Sequence, residues 1–508
     1  VSTIAAPTPL ARIGAIAAVD PGRVAVVGPA GERIGYGELL DGGAALAGEL
    51  AALGIAPGEP VALLGDNSPD WVRSTLAIWS LGATVVGLNT WSPLPELRKV
   101  VGLAGIATVI GCLDGEQRDA YTALARGLTE EGSGRRLVEV RDGRCLGAAT
   151  GAEPVRRAPA AGEVAAMCFT SGSTAAPKGV MLSHGALARG AAAIGEAQGI
   201  REGDVVWSHF PFFFSGGLCN FLMGGLMSGA SLVIQPRFEP EPALDAIEGE
   251  RATVIHAWPN VVRRLVDSPE FAAERIAALR TGTWPLDLWY GGEGFGQVRG
   301  INLFGMTETC TIFTATTAED SDAVRADTHG RPFEGNEAKI VDAEGKRLSP
   351  GERGQIRLKG FNLMSGYFGR DAGEGFDEEG FLLTSDVGEL NDDGYLIWAG
   401  RGDDMIRTRG IIVSPAEVEF ALEGMPGVAK AGVVGKPDER RGEAVVAYIA
   451  VEGKTSIDET AVLDWCRENI AGYKVPSVIK VVDPKELPLL GSGKVDRRRL
   501  RELVAGQA

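Results

Sequence analysis

Short apolar runs, each stopped by glycine or proline, alternate with longer stretches of helical periodicity, and that rhythm leaves few folds open. Val24 to Val27 and Pro60 to Leu64 read as buried strands. Tyr36 to Leu53 and Pro69 to Leu81 carry apolar residues at helical spacing. A strand at Thr84 to Leu88, a helix at Leu94 to Ala104 and a strand at Thr108 to Gly111 continue the pattern. A βαβα order of this kind predicts an α/β sheet wound with helices. The 508 residues are too many for one small core, so several domains are expected.

The texture changes along the chain. Residues 147–163 are rich in alanine, glycine and proline and read as a surface connection. A helix at Glu241 to Glu250 and a strand at Thr253 to Ala257 resume the rhythm. From about 337 the pattern becomes β-rich, with Ala338 to Asp342 and Gln355 to Leu358 separated by turn residues. A charged, glycine-flanked junction follows at Gly400-Arg401-Gly402-Asp403-Asp404. Beyond it lie helices at Ala416 to Leu422 and Ile457 to Glu468, and strands at Val428 to Gly435 and Ala444 to Val451. The expected organisation is a large α/β domain over 1–400, with a β-rich subdomain at about 330–400, and a small α+β domain over 401–508.

Composition narrows the function. The net charge of −17 argues against a nucleic-acid-binding surface, so an anionic ligand must be met by local positive groups. The six cysteines form no C-x-x-C pair and sit near no histidine at zinc spacing, so they read as buried thiols of a reducing, cytoplasmic setting. Four histidines make a histidine-based metal site or catalytic triad a poor expectation. The apolar N-terminal stretch is broken by Pro7, Pro9, Arg12 and Gly14 and lacks the basic start of a signal peptide. Phe210 to Ile234 is the most apolar later segment, but its glycines and Pro211 read as core rather than a membrane span.

Six clusters carry the chemistry. Phe169-Thr170-Ser171-Gly172-Ser173-Thr174-Ala175-Ala176-Pro177-Lys178-Gly179 gathers hydroxyls, small residues and a lysine in one loop. Backbone N–H groups, hydroxyls and a cation there suit a polyphosphate, although the order is not that of a Walker loop. In Phe304-Gly305-Met306-Thr307-Glu308-Thr309, Thr307 can meet a phosphate and Glu308 can hold Mg²⁺; an ordinary helix cap is the competing reading. Asp386 follows Thr384-Ser385, where a carboxylate at a strand end can take ribose hydroxyls or simply close a turn. Gly400 to Ile406, leading to Gly410 and Pro415-Ala416-Glu417-Val418-Glu419, suits a hinge or a plain linker. Leu490-Gly491-Ser492-Gly493-Lys494-Val495-Asp496 places a lysine on a glycine-flanked loop, where it can stabilise developing charge or be a solvated lysine. Pro211-Phe212-Phe213-Phe214-Ser215-Gly216-Gly217 is aromatic and then flexible, as an apolar pocket wall or a piece of core is.

In their order and placement these clusters resemble the adenylate-forming superfamily, which holds acyl-CoA synthetases, peptide-synthetase adenylation domains and luciferases. Ile34-Gly35-Tyr36-Gly37-Glu38-Leu39 and Gly65-Asp66-Asn67-Ser68-Pro69 fit it too, and the Pro-Ala-Glu-Val-Glu run resembles the acyl-CoA synthetase branch. The resemblance covers nearly the whole chain. It implies an ATP-dependent acid–thiol ligase: a small-molecule carboxylic acid attacks the α-phosphate of ATP, and the acyl group then passes from AMP to CoA. It implies that Thr170, Ser171, Gly172, Ser173, Thr174 and Lys178 hold the β- and γ-phosphates, with Thr307 on the α-phosphate and Glu308 on Mg²⁺. Gly291, Gly292, Glu293, Phe304, Gly305 and Met306 would line the adenine and acyl site, and Asp386 and Arg401 the ribose. Lys494 would act in adenylation, Asp403 would be the pivot of a mobile C-terminal domain, and Arg409 and Gly410 would meet the CoA arm. Phe212, Phe213, Phe214, Trp258, Gly291, Gly305 and Cys310 are acyl-pocket candidates; none is acidic, which favours a fatty, aromatic or polycyclic acid over an amino acid.

Three features depart from the family pattern. Ala175 stands where glycine is usual, the chain between Gly292 and Phe304 is shorter by roughly a short helix, and Arg407-Thr408-Arg409-Gly410 replaces a small Ser-Gly-Gly type. Phe214 also replaces a frequent histidine. These leave open an enzyme that converts a supplied acyl-adenylate but adenylates poorly, and a ligase that loads a carrier protein or an amine. A nucleotide-binding scaffold without catalysis is the non-enzymatic alternative. The Ala/Gly/Arg-rich composition suggests a high-GC bacterium, where such ligases serve lipid catabolism and natural-product assembly.

Overall fold

The computed structural model describes residues 8–113, 117–147, 151–170, 177–371, 373–408, 411–438, 441–451, 457–470, 472, 474–490 and 493–505. By packing, the chain divides into two compact units, one of residues 1–337 with 359–382 and the other of residues 338–358 with 383–508.

Two wound sheets form most of the first unit. In the larger, the parallel strands Thr84–Gly87, Pro60–Leu64, Thr108–Cys112 and Arg136–Arg141 lie side by side, and Val164–Thr170 joins Thr84–Gly87. The second sheet sets Val254–His256, Val205–Ser208, Ser231–Ile234 and Val24–Val27 in parallel order. Apart from Arg136–Arg141 these strands are short and largely buried, the signature of parallel strands covered on both faces. The helices stand where the periodicity put them, at Tyr36–Ala52, Pro69–Leu81 and Leu94–Leu103. Pro69–Leu81 shows why: Ser68 accepts the Trp71 N–H on its hydroxyl, proline opens the first turn, and Gly82 at φ +73° closes the last. The wound α/β fold and a separate smaller C-terminal domain are therefore as expected.

Phe210 to Ile234 is indeed core, but not one element. It contains a π-helical stretch, Gly216–Gly224, then a helical turn, Gly225–Ser228, and the strand Ser231–Ile234. Among the described residues no helix is long and apolar enough to cross a membrane.

The second unit holds two sheets of its own. Glu337–Val341, Gly354–Lys359, Leu382–Leu390 and Leu396–Arg401 lie in that order in the first, the last two antiparallel, so the stretch is β-rich as expected. The second is built on the long hairpin Val428–Asp438 with Gly442–Val451, and both Ile406–Thr408 and Val478–Val482 pair with Gly442–Val451. Helices Pro415–Glu423 and Glu459–Asn469 cover it through Val418, Leu422, Val462 and Cys466.

Candidate active site

In the first unit a hairpin, a turn and a short strand converge. Val164–Thr170 pairs antiparallel with Lys178–Ser183, and Thr170 stands opposite Lys178 at the hairpin's end. The tip, including Ser171, Gly172, Ser173, Thr174 and Ala175, lies outside the described residues. Gly366–Tyr367 adds to the hairpin's outer edge, with Tyr367 opposite Val180. The Lys178 amine lies 5.0 Å from the centre of the Tyr367 ring.

Thr307 and Glu308 occupy a single 3₁₀ turn, Thr307–Thr309. Thr309 closes it by accepting the Met306 N–H on its hydroxyl at 3.0 Å. The chain leaves through Cys310 and Thr311 at φ +50° and +85°, a conformation that non-glycine residues rarely adopt. Asn362 holds it there, its amide donating to the Thr309 and Ile312 carbonyls at 2.8 Å each. Gly305 is required by a close approach, since a Cβ there would lie 1.9 Å from the Thr311 carbonyl oxygen.

This turn presents two polar groups in different ways. Glu308 is buried, and the Tyr367 hydroxyl donates to its Oε1 at 2.9 Å. Thr307 Oγ1 is 3.3 Å from Ser215 Oγ, at the start of the π-helical stretch. Lys178, Tyr367, Glu308, Thr307 and Ser215 thus form one linked polar run. Tyr367 escaped the sequence reading because no spacing rule ties position 367 to 308; only the strand pairing brings them together.

One buried carboxylate fits Mg²⁺ when phosphate oxygens and water complete the shell. Among the described residues no group of three or more His, Cys, Asp or Glu side chains could hold a metal ion alone. A metal held by Glu308 would therefore arrive with its nucleotide, and it would neutralise phosphate charge.

The acyl-pocket candidates separate into surface and support. Phe214 is half-buried, edge-on to Trp91 at 5.6 Å, while Phe212 is core against Trp71 and Phe221. Phe213 is likewise buried, 4.6 Å from Phe214. Trp258 is part-exposed, with its ring on Phe210 and His209. Cys310 is completely buried, and a thiol contact from Cys310, together with burial, raises the pKa of Cys219. Cys310 thus lies in the core beside Cys219 rather than at a surface. Gly291, Gly292 and Glu293 form a 3₁₀ turn, in which Glu293 is exposed and paired with Arg263. The short segment after it is closed by Phe295 and Val298, both fully buried.

In the second unit Asp386 and Arg401 are cross-strand partners. Asp386 Oδ1 accepts the Trp398 indole N–H at 2.9 Å and lies 3.4 Å from the Arg401 guanidinium. Burial raises its pKa, while Arg401, Trp398 and Lys494 oppose the rise. Lys494 sits on a tight turn: its carbonyl accepts the Leu490 N–H at 2.8 Å, and Gly493 adopts φ +78°. Its side chain keeps solvent contact. Crowding by the surrounding protein, then Arg401 and Arg497, push the amine below the ordinary lysine range, and Asp386 opposes them. Asp403 lies in the 3₁₀ turn Gly402–Asp404, whereas Arg409 and Gly410 lie outside the described residues.

Two family models match the sequence: AMP-binding enzyme over residues 15–368, and AMP-binding enzyme C-terminal domain over residues 417–494. The chain belongs to the AMP-binding enzyme family. It is 32% identical over 480 residues to feruloyl-CoA synthase of an Amycolatopsis species, covering 93% of this chain and 94% of that protein. It is 33% identical over 512 residues to indoleacetate–CoA ligase of Aromatoleum aromaticum, covering 96% of each. The anthranilate CoA ligase AuaEII, solved with anthranoyl-AMP, superposes with a TM-score of 0.86 at 26% identity, over 99% of this chain and 98% of that one. These matches bear out the resemblance drawn from the six clusters: the chain is an acyl-CoA ligase that works through an acyl-adenylate.

Proposed function

We propose that this AMP-binding enzyme activates a cyclic, largely apolar carboxylic acid with ATP and Mg²⁺ and passes the acyl group to CoA. The observation that carries the reading is the linked run from Lys178 through Tyr367 to Glu308 and Thr307. A cation, a carboxylate and a hydroxyl on rigid strands and a locked turn suit a chain of phosphates and its metal. No nucleophilic serine or cysteine is required; positioning and charge stabilisation suffice. Burial pushes the Cys168 and Cys219 thiols above the ordinary range, which keeps them inert.

Each group has a role in this reading. Thr170, the loop 171–174 and Lys178 hold the β- and γ-phosphates, Thr307 the α-phosphate, and Glu308 the Mg²⁺. Gly291, Gly292, Glu293, Phe304, Gly305 and Met306 border adenine and the acyl group. Asp386 and Arg401 hold the ribose hydroxyls. Lys494, a cation on a compact turn, stabilises charge that develops between carboxylate and α-phosphate. Residues 401–508 move about Asp403 between the half-reactions, and Arg409-Gly410 then meets the CoA arm. The half-exposed aromatic surface of Phe214 and Trp258 favours a flat or polycyclic acid, as does the similarity to ligases of feruloyl, indoleacetate and anthranilate groups. The reading includes a cytoplasmic bacterial setting.

The test follows AMP and pyrophosphate release with ATP, Mg²⁺ and a panel of aromatic, polycyclic and fatty acids, with and without CoA. Acid-dependent pyrophosphate release with thioester formation is the expected result. Thioester only from a synthetic acyl-adenylate would identify a second-half-reaction specialist. Transfer only to a carrier-protein phosphopantetheine or an amine would overturn CoA as the acceptor, and ATP binding with no turnover would leave a scaffold.

A further inference from the structure

The Lys494 turn is not a free tether. Three residues on, the helix Arg497–Ala505 begins, and its first side chain is held from two sides. Arg497 pairs with both oxygens of Glu419, its Nε lying 3.2 Å from Oε1. Its Nη1 also donates to Asp404 Oδ2 at 3.2 Å. One turn later, Arg501 donates to the other Asp404 oxygen at 2.6 Å. Glu419 is itself fixed, being buried on helix Pro415–Glu423 and accepting the Val433 N–H on Oε1 at 2.8 Å.

Asp404 closes the turn Gly402–Asp404, whose middle residue is the proposed pivot, Asp403. A bidentate guanidinium fixes direction as well as distance, which a point charge does not. The turn bearing Lys494 is continuous with this clamp: Leu489 pairs with Val495, the Asp496 N–H donates to the Pro488 carbonyl, and the Arg497 N–H donates to the Val495 carbonyl. With Glu419 and Asp404 holding Arg497, the lysine turn and the pivot turn are joined through that side chain, and Arg501 adds a second hold on Asp404.

We infer that Arg497 is a positioning residue for adenylation, locking the Lys494 turn and the Gly402–Asp404 turn into one piece through Glu419 and Asp404. The inference rests on the reading of Lys494 above. Electrostatics supply an independent readout. Arg497, Arg401 and Asp386 all act on the Lys494 amine, and Arg497 helps to hold its pKa down. Removing Arg497 must let that pKa rise. If the protonated amine is the working form, the alkaline limb of the adenylation rate then moves to higher pH.

The experiment compares Arg497→Met, Arg497→Lys and Asp404→Asn with the parent enzyme. It measures acid-dependent pyrophosphate release, and thioester formation from a synthetic acyl-adenylate plus CoA, across pH. For Arg497→Met we expect kcat of adenylation to fall by about 100-fold, the scale of a small misplacement of a reacting group. KM for ATP and the thioester half-reaction should stay within a few-fold, and the alkaline limb should move up in pH. Arg497→Lys should restore the position of that limb but not the rate. If Arg497→Met does not fold, Asp404→Asn, which leaves the buried Glu419 pair intact, should still lower adenylation selectively. Equal loss of both half-reactions, or selective loss with an unmoved alkaline limb, would overturn the inference. A parent enzyme without acid-dependent pyrophosphate release would instead overturn the reading of Lys494.

Discussion

The two lysines singled out from the sequence stand in opposite surroundings. Lys178 belongs to a strand, its amine over the Tyr367 ring, and that tyrosine's hydroxyl leads on to the carboxylate of Glu308. Lys494 belongs to a turn and stands among charges, with Arg401 and Arg497 against it and Asp386 for it. In the proposed function the contrast follows from what each would do. A cation meant for a polyphosphate gains from a rigid backbone. A cation meant for a charge that exists only in the transition state gains from exact placement and from a pKa set by its surroundings.

The largest test of the contrast is Lys494→Ala. Adenylation should fall by roughly 10²–10³-fold, as when a main charge-stabilising donor is lost. Thioester formation from a supplied acyl-adenylate should persist, and equal loss of both half-reactions would erase the distinction. Glu308→Gln comes next, with adenylation down by roughly 100-fold and more Mg²⁺ needed for half-maximal rate; an unchanged Mg²⁺ titration would remove the metal from this carboxylate.

Tyr367→Phe sharpens the Lys178 side. The ring remains over the amine while the hydroxyl bond to Glu308 is lost, so a drop of about tenfold is expected, the worth of one hydrogen bond to a charged group. Tyr367→Leu removes both contacts and should cost more; if the two variants are equal, the ring does nothing for Lys178.

The smallest effect concerns Asp386. Burial holds its folded pKa above the ordinary aspartate value of 3.8, so ionisation works against the fold. Stability from this group is greatest below that value, falls as pH rises through the folded pKa, and then stays level. Asp386→Asn keeps an acceptor for Trp398. It should raise Tm slightly at pH 7, with the gain vanishing in acid, while ATP binding weakens. A lower Tm at pH 7 would mean that the Arg401 contact outweighs burial.

Much of the fold was legible because its elements are local. Pro69–Leu81 is bounded as its cap, proline and Gly82 dictate, and the strands at Val24–Val27 and Pro60–Leu64 are apolar runs of strand length between breakers. Phe210 to Ile234 is legible only as core, because nothing in composition separates a π-helical stretch from other buried apolar chain. In the site, Thr307, Glu308, Lys178, Asp386 and Lys494 were each recognisable as chemically apt. Their partners Tyr367, Trp398 and Arg497 were not, since each is set by a pairing across strands or elements.

Sequence alone determined many of the helices and strands, where the chemically apt side chains stand along the chain, and the family they signal. Those properties depend on near neighbours: caps, turn residues and the period of apolar positions. Tertiary structure alone decided that the ring over Lys178 and the hydroxyl on Glu308 belong to the same tyrosine. It alone decided that Cys310 is buried beside Cys219, and that Arg497 ties the lysine turn to Asp404. The reason is geometric. Contacts between distant segments follow from how sheets and helices stack, and a linear chain does not display that stacking.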